Sequence, residues 1–283
     1  MKKKILLPTD FSKNSINAIN YAIELYKNQS CDFFILHSYY LPGFSKNNLL
    51  SPEPTDKKLN EVKEQAQQNI KKLKNYACFN HENSNHAFYF LNEFGSFFDV
   101  LKKIVQKEKM KLIIMGTRGI TDDKNIILGS NAVITMEEVR NCPVFVVPGN
   151  VIFKYPNEIV FPTSFKTHYK ANELATLIEI SQLTKTPIRI LHIKKDKKLT
   201  EKQCKNKALL NQILAPTNFT HCALFNSNIH KGIRCFSQSR KSEMIAFVNK
   251  KHHFFGSVFS NPMVKELSVH ANIPILALHD LKK

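Results

Sequence analysis

The chain has 283 residues, 43% of them hydrophobic and 23% charged, a globular composition that argues against wholesale disorder and suggests two ordinary domains or one large one. No stretch approaches the ~18 apolar residues of a membrane helix. The apolar run of "MKKKILLPTDF" stops after three residues at Pro8, too short for a signal peptide, so a cytoplasmic protein is expected.

The six cysteines include no CxxC pair, which favours reduced thiols over a zinc site. The net charge of +18 is uneven, with 20 basic and 15 acidic residues up to Asn150 and 21 and 8 after it. That asymmetry suits either a polyanion partner or a solvated lysine-rich surface. No basic motif interleaved with aromatics points to nucleic acid.

In chain order, residues 5–7 read as a strand, 15–27 as a helix and 33–37 as a strand ending in Ile-Leu-His. Residues 41–58, with Pro, Ser, Gly and Asn, read as a surface loop near the carboxyl ends of the first two strands. A helix at 59–78, a strand at 87–91, a helix at 97–107, a strand at 112–115, a helix at 129–139 and a strand at 144–147 follow. The boundary falls in "PGNVIFKYPN", giving domains 1–150 and 151–283.

The second half copies the first, with strands near 158–161, 188–192, 220–225, 244–247 and 275–278. Both halves open on a strand, Pro-Thr-x-Phe, a helix and a second strand, with 27 residues from Asp10 to His37 and 28 from Ser164 to His192. Both close on a short strand opened by proline, "CPVFVV" and "IPILAL". Continuous apolar strands separated by amphipathic helices imply an α/β fold with a parallel sheet covered on both faces. His37 and His192, flanked by apolar residues, read as packed and hydrogen-bonded rather than catalytic.

Three of the eight glycines, Gly116, Gly119 and Gly129, lie within 14 residues. Gly116 and Gly119 follow a strand, at the edge where open parallel sheets bind ligands. There a residue without Cβ lets a nucleotide lie against the main chain. Gly129-Ser130 begins a helix, whose unpaired N–H groups suit phosphate. The plainer reading is a turn glycine and a Gly-Ser helix cap. Asp10, at the end of the first strand, either caps the next helix, a task Ser12 could also do, or holds a ribose, an amine or a metal on the phosphates.

"ILLPTDFS", "FILHSYY", the Gly-x2-Gly-x9-Gly-Ser signature and "CPVFVV" together resemble a universal stress protein domain of the ATP-binding subgroup. The resemblance covers residues 2–148, and 157–280 more loosely. It implies two tandem Rossmann-like (adenine nucleotide α-hydrolase-like) domains, each a five-stranded parallel-type sheet flanked by helices. By position, Pro8, Thr9 and Asp10 would line an adenosine pocket and Ser38 would present its backbone to adenine. Met115 and Gly116 would meet the ribose; Gly119, Gly129, Ser130 and Asn131 would meet the phosphates of ATP or a related adenine nucleotide. Magnesium would arrive only with the nucleotide, near Asp10, because no metal site made of protein groups alone is visible. Asn131 and Ser38 depart from the family's usual residues.

In the second half Val248 stands where Gly116 would be, and Asn261-Pro262 where Gly129-Ser130 would be; a second register offers Gly256-Ser257. Valine blocks close approach and proline removes a donor, so only the first half is expected to bind nucleotide. No P-loop and no Gly-x-Ser-x-Gly elbow is present, so no catalytic residue is assigned and ATP turnover would at most be slow. The favoured reading is a nucleotide-responsive regulatory module of the stress response with an unidentified protein partner. The alternatives are a nucleotide-free interaction protein with relic glycines, and a polyanion binder acting through the basic half. The family pairs final strands between single domains; here "CPVFVV" and "IPILAL" would pair within one chain as a pseudo-dimer, and further homodimerisation stays open.

Overall fold

Strand residues with apolar neighbours on both sides must be covered on both faces, and the sheet meets that demand. The computed structural model describes residues 2–40, 56–80, 83–117, 129–194, 198–225, 228–249 and 273–279. The leading half runs β1 (Lys3–Pro8), α1 (Lys13–Leu25), β2 (Cys31–Tyr39), α2 (Asp56–Asn80), β3 (His86–Phe94), α3 (Phe97–Glu108), β4 (Leu112–Gly116), α4 (Ser130–Glu138) and β5 (Val144–Val147). The trailing half runs β6 (Ile159–Pro162), α5 (Ala171–Thr184), β7 (Ile188–Lys194), α6 (Glu201–Leu214), β8 (Phe219–Phe225), α7 (Ile229–Arg240), β9 (Met244–Asn249) and β10 (Ile275–His279).

These strands form one sheet in the order β3-β2-β1-β4-β5-β10-β9-β6-β7-β8. Neighbours are parallel except at the centre, where β5 and β10 are antiparallel, with Ile275 opposite Val146 and Ala277 opposite Val144. The two closing strands thus pair within the chain, each covering the edge of the other. Pro143 and Pro274, just ahead of these strands, still accept from the N–H of Ile113 and Ile245, at 2.9 and 3.0 Å. Only their missing donors go unused, as the strand-opening position allows.

Alternation splits β1 between two layers. Ile5 and Leu7 join α1, α2, α5 and α6 in one apolar layer. Leu6 joins α3, α4 and α7 in the other. Both layers run unbroken across the two halves, and no described helix is long and apolar enough to cross a membrane.

Several boundaries differ from expectation for local reasons. Helix α1 starts at Lys13 rather than 15, because the Ser12 hydroxyl accepts from the Ser15 N–H at 3.2 Å and caps it. Strand β3 continues to Phe94 because β2 continues beside it to Tyr39. Helix α2 already begins at Asp56, inside the stretch read as loop, and residues 41–55 lie outside the described ones.

Two buried polar groups tie stability to pH. Glu158, just ahead of β6, is 4% exposed and accepts from Arg189, Arg240 and Ser242 at 2.9, 2.8 and 2.6 Å. Burial pushes its carboxyl up, but the hydrogen bonds from Arg240, Ser242 and Arg189 outweigh that and hold it at about 2. His279, at the end of β10, is 1% exposed, and its ring nitrogens find no partner among the described residues. Burial, and then the charge of Arg140, bring it down to about 3.

Both groups are harder to protonate folded than unfolded, so both contribute stability that is lost as pH falls, in different windows. For His279 the loss begins below 6.5, and His279→Leu should remove about 2 kcal/mol of the pH dependence between pH 6.5 and 5. That variant should fold at least as well as wild type at pH 7, since an apolar group replaces a buried one that has no partner among the described residues. Glu158→Gln should instead flatten the window below pH 4.5 and cost about 3–5 kcal/mol at pH 7. Urea denaturation across pH separates the two.

Candidate functional site

Strand order reverses between β1 and β4, since β2 and β3 continue to one side and β4 and β5 to the other. Crevices outside the carboxyl ends of such strands are where open α/β sheets bind ligands. Pro8 ends β1 opposite Leu36, and Gly116 ends β4 opposite Val147. Met115 is buried one residue earlier, opposite Val146. Ser38 lies half-buried on β2, opposite Glu93.

Thr9 and Asp10 form a tight elbow between β1 and α1. The Thr9 N–H donates to Leu36 O at 2.8 Å. Its hydroxyl accepts from the Phe11 N–H at 3.0 Å and lies 2.9 Å from the Ser15 hydroxyl. Phe11 adopts a left-handed conformation with φ 64, a strained choice for a bulky residue that persists only where its surroundings hold it. Those surroundings include the His37 ring, 4.5 Å away between centroids. His37 Nδ1 lies 3.0 Å from Thr9 O. A carbonyl only accepts, so Nδ1 carries the hydrogen and His37 serves the elbow, as its apolar flanks implied. The half-buried Asp10 accepts from the Ser12 N–H at 3.1 Å, while Ser12 rather than Asp10 caps α1.

The trailing half builds the same elbow. Phe165 has φ 55 and donates its N–H to the Thr163 hydroxyl at 3.0 Å; His192 Nδ1 lies 2.8 Å from Thr163 O. The left-handed phenylalanines were not foreseen. Their signal was the Pro-Thr-x-Phe repeated with a histidine 26 and 27 residues after the phenylalanine.

The glycines divide. Gly119 lies outside the described residues. Gly129 is the N-cap of α4, and its N–H donates to Thr117 O, so the helix starts against the carboxyl end of β4. Ser130 and Asn131, both exposed, are the first two helical residues, whose N–H groups have no partner within a helix. Ser130 therefore sits inside the helix and does not cap it.

Gly116 has a packing reason of its own. A Cβ there would stand 3.0 Å from Asn14 O and 3.3 Å from Ser15 N, in the first turn of α1. In the trailing half the pairs Val160–Ile245 and Leu6–Ile113 match β9 to β4, which puts Val248 in the place of Gly116. Helix α1 starts five residues after β1 ends, but α5 starts nine residues after β6 ends. The absent helical turn leaves room for the valine. The trailing elbow is also covered by α6: Gln203 Nε2 donates to Ser164 O and Asn206 Nδ2 to Phe165 O, each at 2.8 Å.

The mostly parallel sheet with order reversals, flanked on both faces by helices, defines an α/β protein of Rossmann-like fold. Within that class, the chain belongs to the universal stress protein family, whose model matches residues 1–148. A universal stress protein of Methanocaldococcus jannaschii is 31% identical over 146 residues, 51% of this chain and 81% of that protein. A universal stress protein of Archaeoglobus fulgidus has the same fold across 98% of both chains, with a TM-score of 0.71 and 17% identity. The cytoplasmic domain of a prokaryotic cation chloride cotransporter shares it too, over 100% of this chain and 98% of that domain, at TM-score 0.52 and 11% identity. One fold thus serves quite different proteins, and function has to be argued from the site.

Gly116→Ala should cost about 1–3 kcal/mol in nucleotide-free denaturation, because the added methyl meets helical backbone rather than a movable side chain. Val248→Ala should cost less, about 1 kcal/mol, because the half-buried valine only packs against the core from its edge.

Proposed function

We propose that the leading half binds ATP or a related adenine nucleotide and that the protein acts as a nucleotide-responsive regulatory module in the cytoplasm. The observation that carries this reading is the bond from the Gly129 N–H to Thr117 O, which starts α4 against the carboxyl end of β4, one strand from Asp10. The N–H groups of Ser130 and Asn131, which have no partner among the described residues, the Ser130 hydroxyl and the positive end of the helix dipole form a donor set that fits phosphate oxygens. Gly119, in the connecting segment, would add main-chain donors.

Pro8, Thr9 and Asp10 would line the adenosine, the Ser38 backbone would meet adenine, and Met115 and Gly116 would border the ribose. Asp10, a carboxylate fixed by Ser12 on the same edge, fits a ribose hydroxyl or a magnesium ion carried in by the phosphates. Bound magnesium would neutralise phosphate charge, and the protein's own part is to orient the nucleotide.

Residues 1–150 and 151–283 would form two domains, of which only the first takes nucleotide. Val248 and the hydrogen bonds of Gln203 and Asn206 over the trailing elbow support that asymmetry. No residue of the described edge is assigned a catalytic role: Asp10 is read as a nucleotide contact, and His37 holds Thr9 O through its Nδ1–H. The reading is therefore a binder that hydrolyses ATP slowly at most and answers to a protein partner.

A second reading, an interaction protein with relic glycines, draws on the packing of Gly116 against α1, which explains that glycine without a ligand. Adenine nucleotide released from gently purified protein favours the first reading, and its absence favours the second.

Calorimetry with ATP should show one site per chain, lost in Gly129→Lys. The backbone of Gly129, φ −68 and ψ 159, accepts a side chain without strain, so that variant should stay folded by circular dichroism. Equal binding by both proteins would remove the site from this edge.

A further inference from the structure

Helix α4 ends without the left-handed residue that usually closes a helix; Val139 has φ −82 and ψ 98. Its last carbonyls need other donors. Thr135 O accepts from the Val139 N–H at 3.1 Å, and Glu137 O from Arg140 Nη1 at 3.3 Å. Met136 O accepts from Asn249 Nδ2 at 2.9 Å, a buried bond from the trailing half to a residue 113 positions away. Asn249 is 4% exposed and pairs with His279 in the sheet, so its strand fixes the direction of its side chain.

The matching registers of β4 and β9 put Asn249 in the trailing half where Thr117 stands in the leading half. Thr117 O holds the start of α4 through the Gly129 N–H, and Asn249 holds its end. The helix between them has 9 residues, roughly 13 Å.

We propose that Asn249 is a positioning residue for the nucleotide site of the leading half: by capping α4 at its far end, it aims the Ser130 and Asn131 N–H groups at the phosphates. This rests on the nucleotide reading above. A nine-residue helix moves as one body, so freeing its end changes the direction of both donors at its start. The trailing half thereby completes a site to which it lends no contact residue.

The test is Asn249→Asp, which keeps the shape and sets a carboxylate oxygen against a carbonyl at the negative end of a helix. Without nucleotide, α4 amides should exchange hydrogen about tenfold faster than in wild type, with β1 and β2 unchanged. ATP should bind about tenfold more weakly at pH 7. If the charged variant does not fold, Asn249→Ala carries the exchange and affinity comparisons.

Unchanged α4 exchange, or unchanged ATP affinity, would overturn the role of Asn249. Wild-type protein that takes up no ATP would overturn the nucleotide reading instead, and faster α4 exchange in the variant would then still support the cap.

Discussion

Val144, Phe145 and Val146 pair antiparallel with Ala277, Leu276 and Ile275, and this short seam sets the geometry of everything around it. It covers two strand edges that would otherwise be open to other chains, and it lets each apolar layer continue from one half to the other. It also reverses the direction of the trailing strands. The carboxyl edge of the leading half is therefore the amino edge of the trailing half. A helix that leaves β4 and returns towards β5 must begin at the leading half's carboxyl edge and end at the opposite edge, where the trailing strands have their carboxyl ends. That is why α4 starts beside Asp10 and Gly116 and finishes against Asn249.

The candidate site is built from backbone direction more than from side-chain chemistry. Two phenylalanines in left-handed conformation, each held by a threonine hydroxyl and a histidine ring, turn the chain sharply at both elbows. The halves diverge in what surrounds that turn. The leading half carries Asp10, a helix that starts early, and a glycine that admits it. The trailing half carries Ser164, a late helix, a valine in the glycine's place, and two amide side chains donating over the elbow. Helix start and glycine are coupled, so the loss of the motif in the trailing half is also a change of packing.

Much of the fold was legible because parallel strands buried on both faces are written as continuous apolar runs, and the chain writes them twice. The pairing of "CPVFVV" with "IPILAL" was implied by the family resemblance; the residues themselves marked two short strands, each opened by proline. Helix starts were less legible, because Ser12 and Ser15 both suit a cap and only the fold shows which one serves. The candidate residues at positions 8–10, 38 and 115–116 come from three stretches of chain that one sheet edge collects. Glu158 with its two arginines, the buried His279 and the bond from Asn249 to Met136 carried no local signal. Each joins residues far apart in sequence, and their polar character pointed to the surface. For Gly116, close approach was foreseen, but among the described residues the neighbour is a helix of the same chain.

The central claim is that the two halves have parted in function, one holding nucleotide and the other holding the helix that receives its phosphates. Native mass spectrometry of the intact chain in saturating ATP reads this most directly. A single added nucleotide mass per chain is the predicted result. Two added masses, or none, would contradict it.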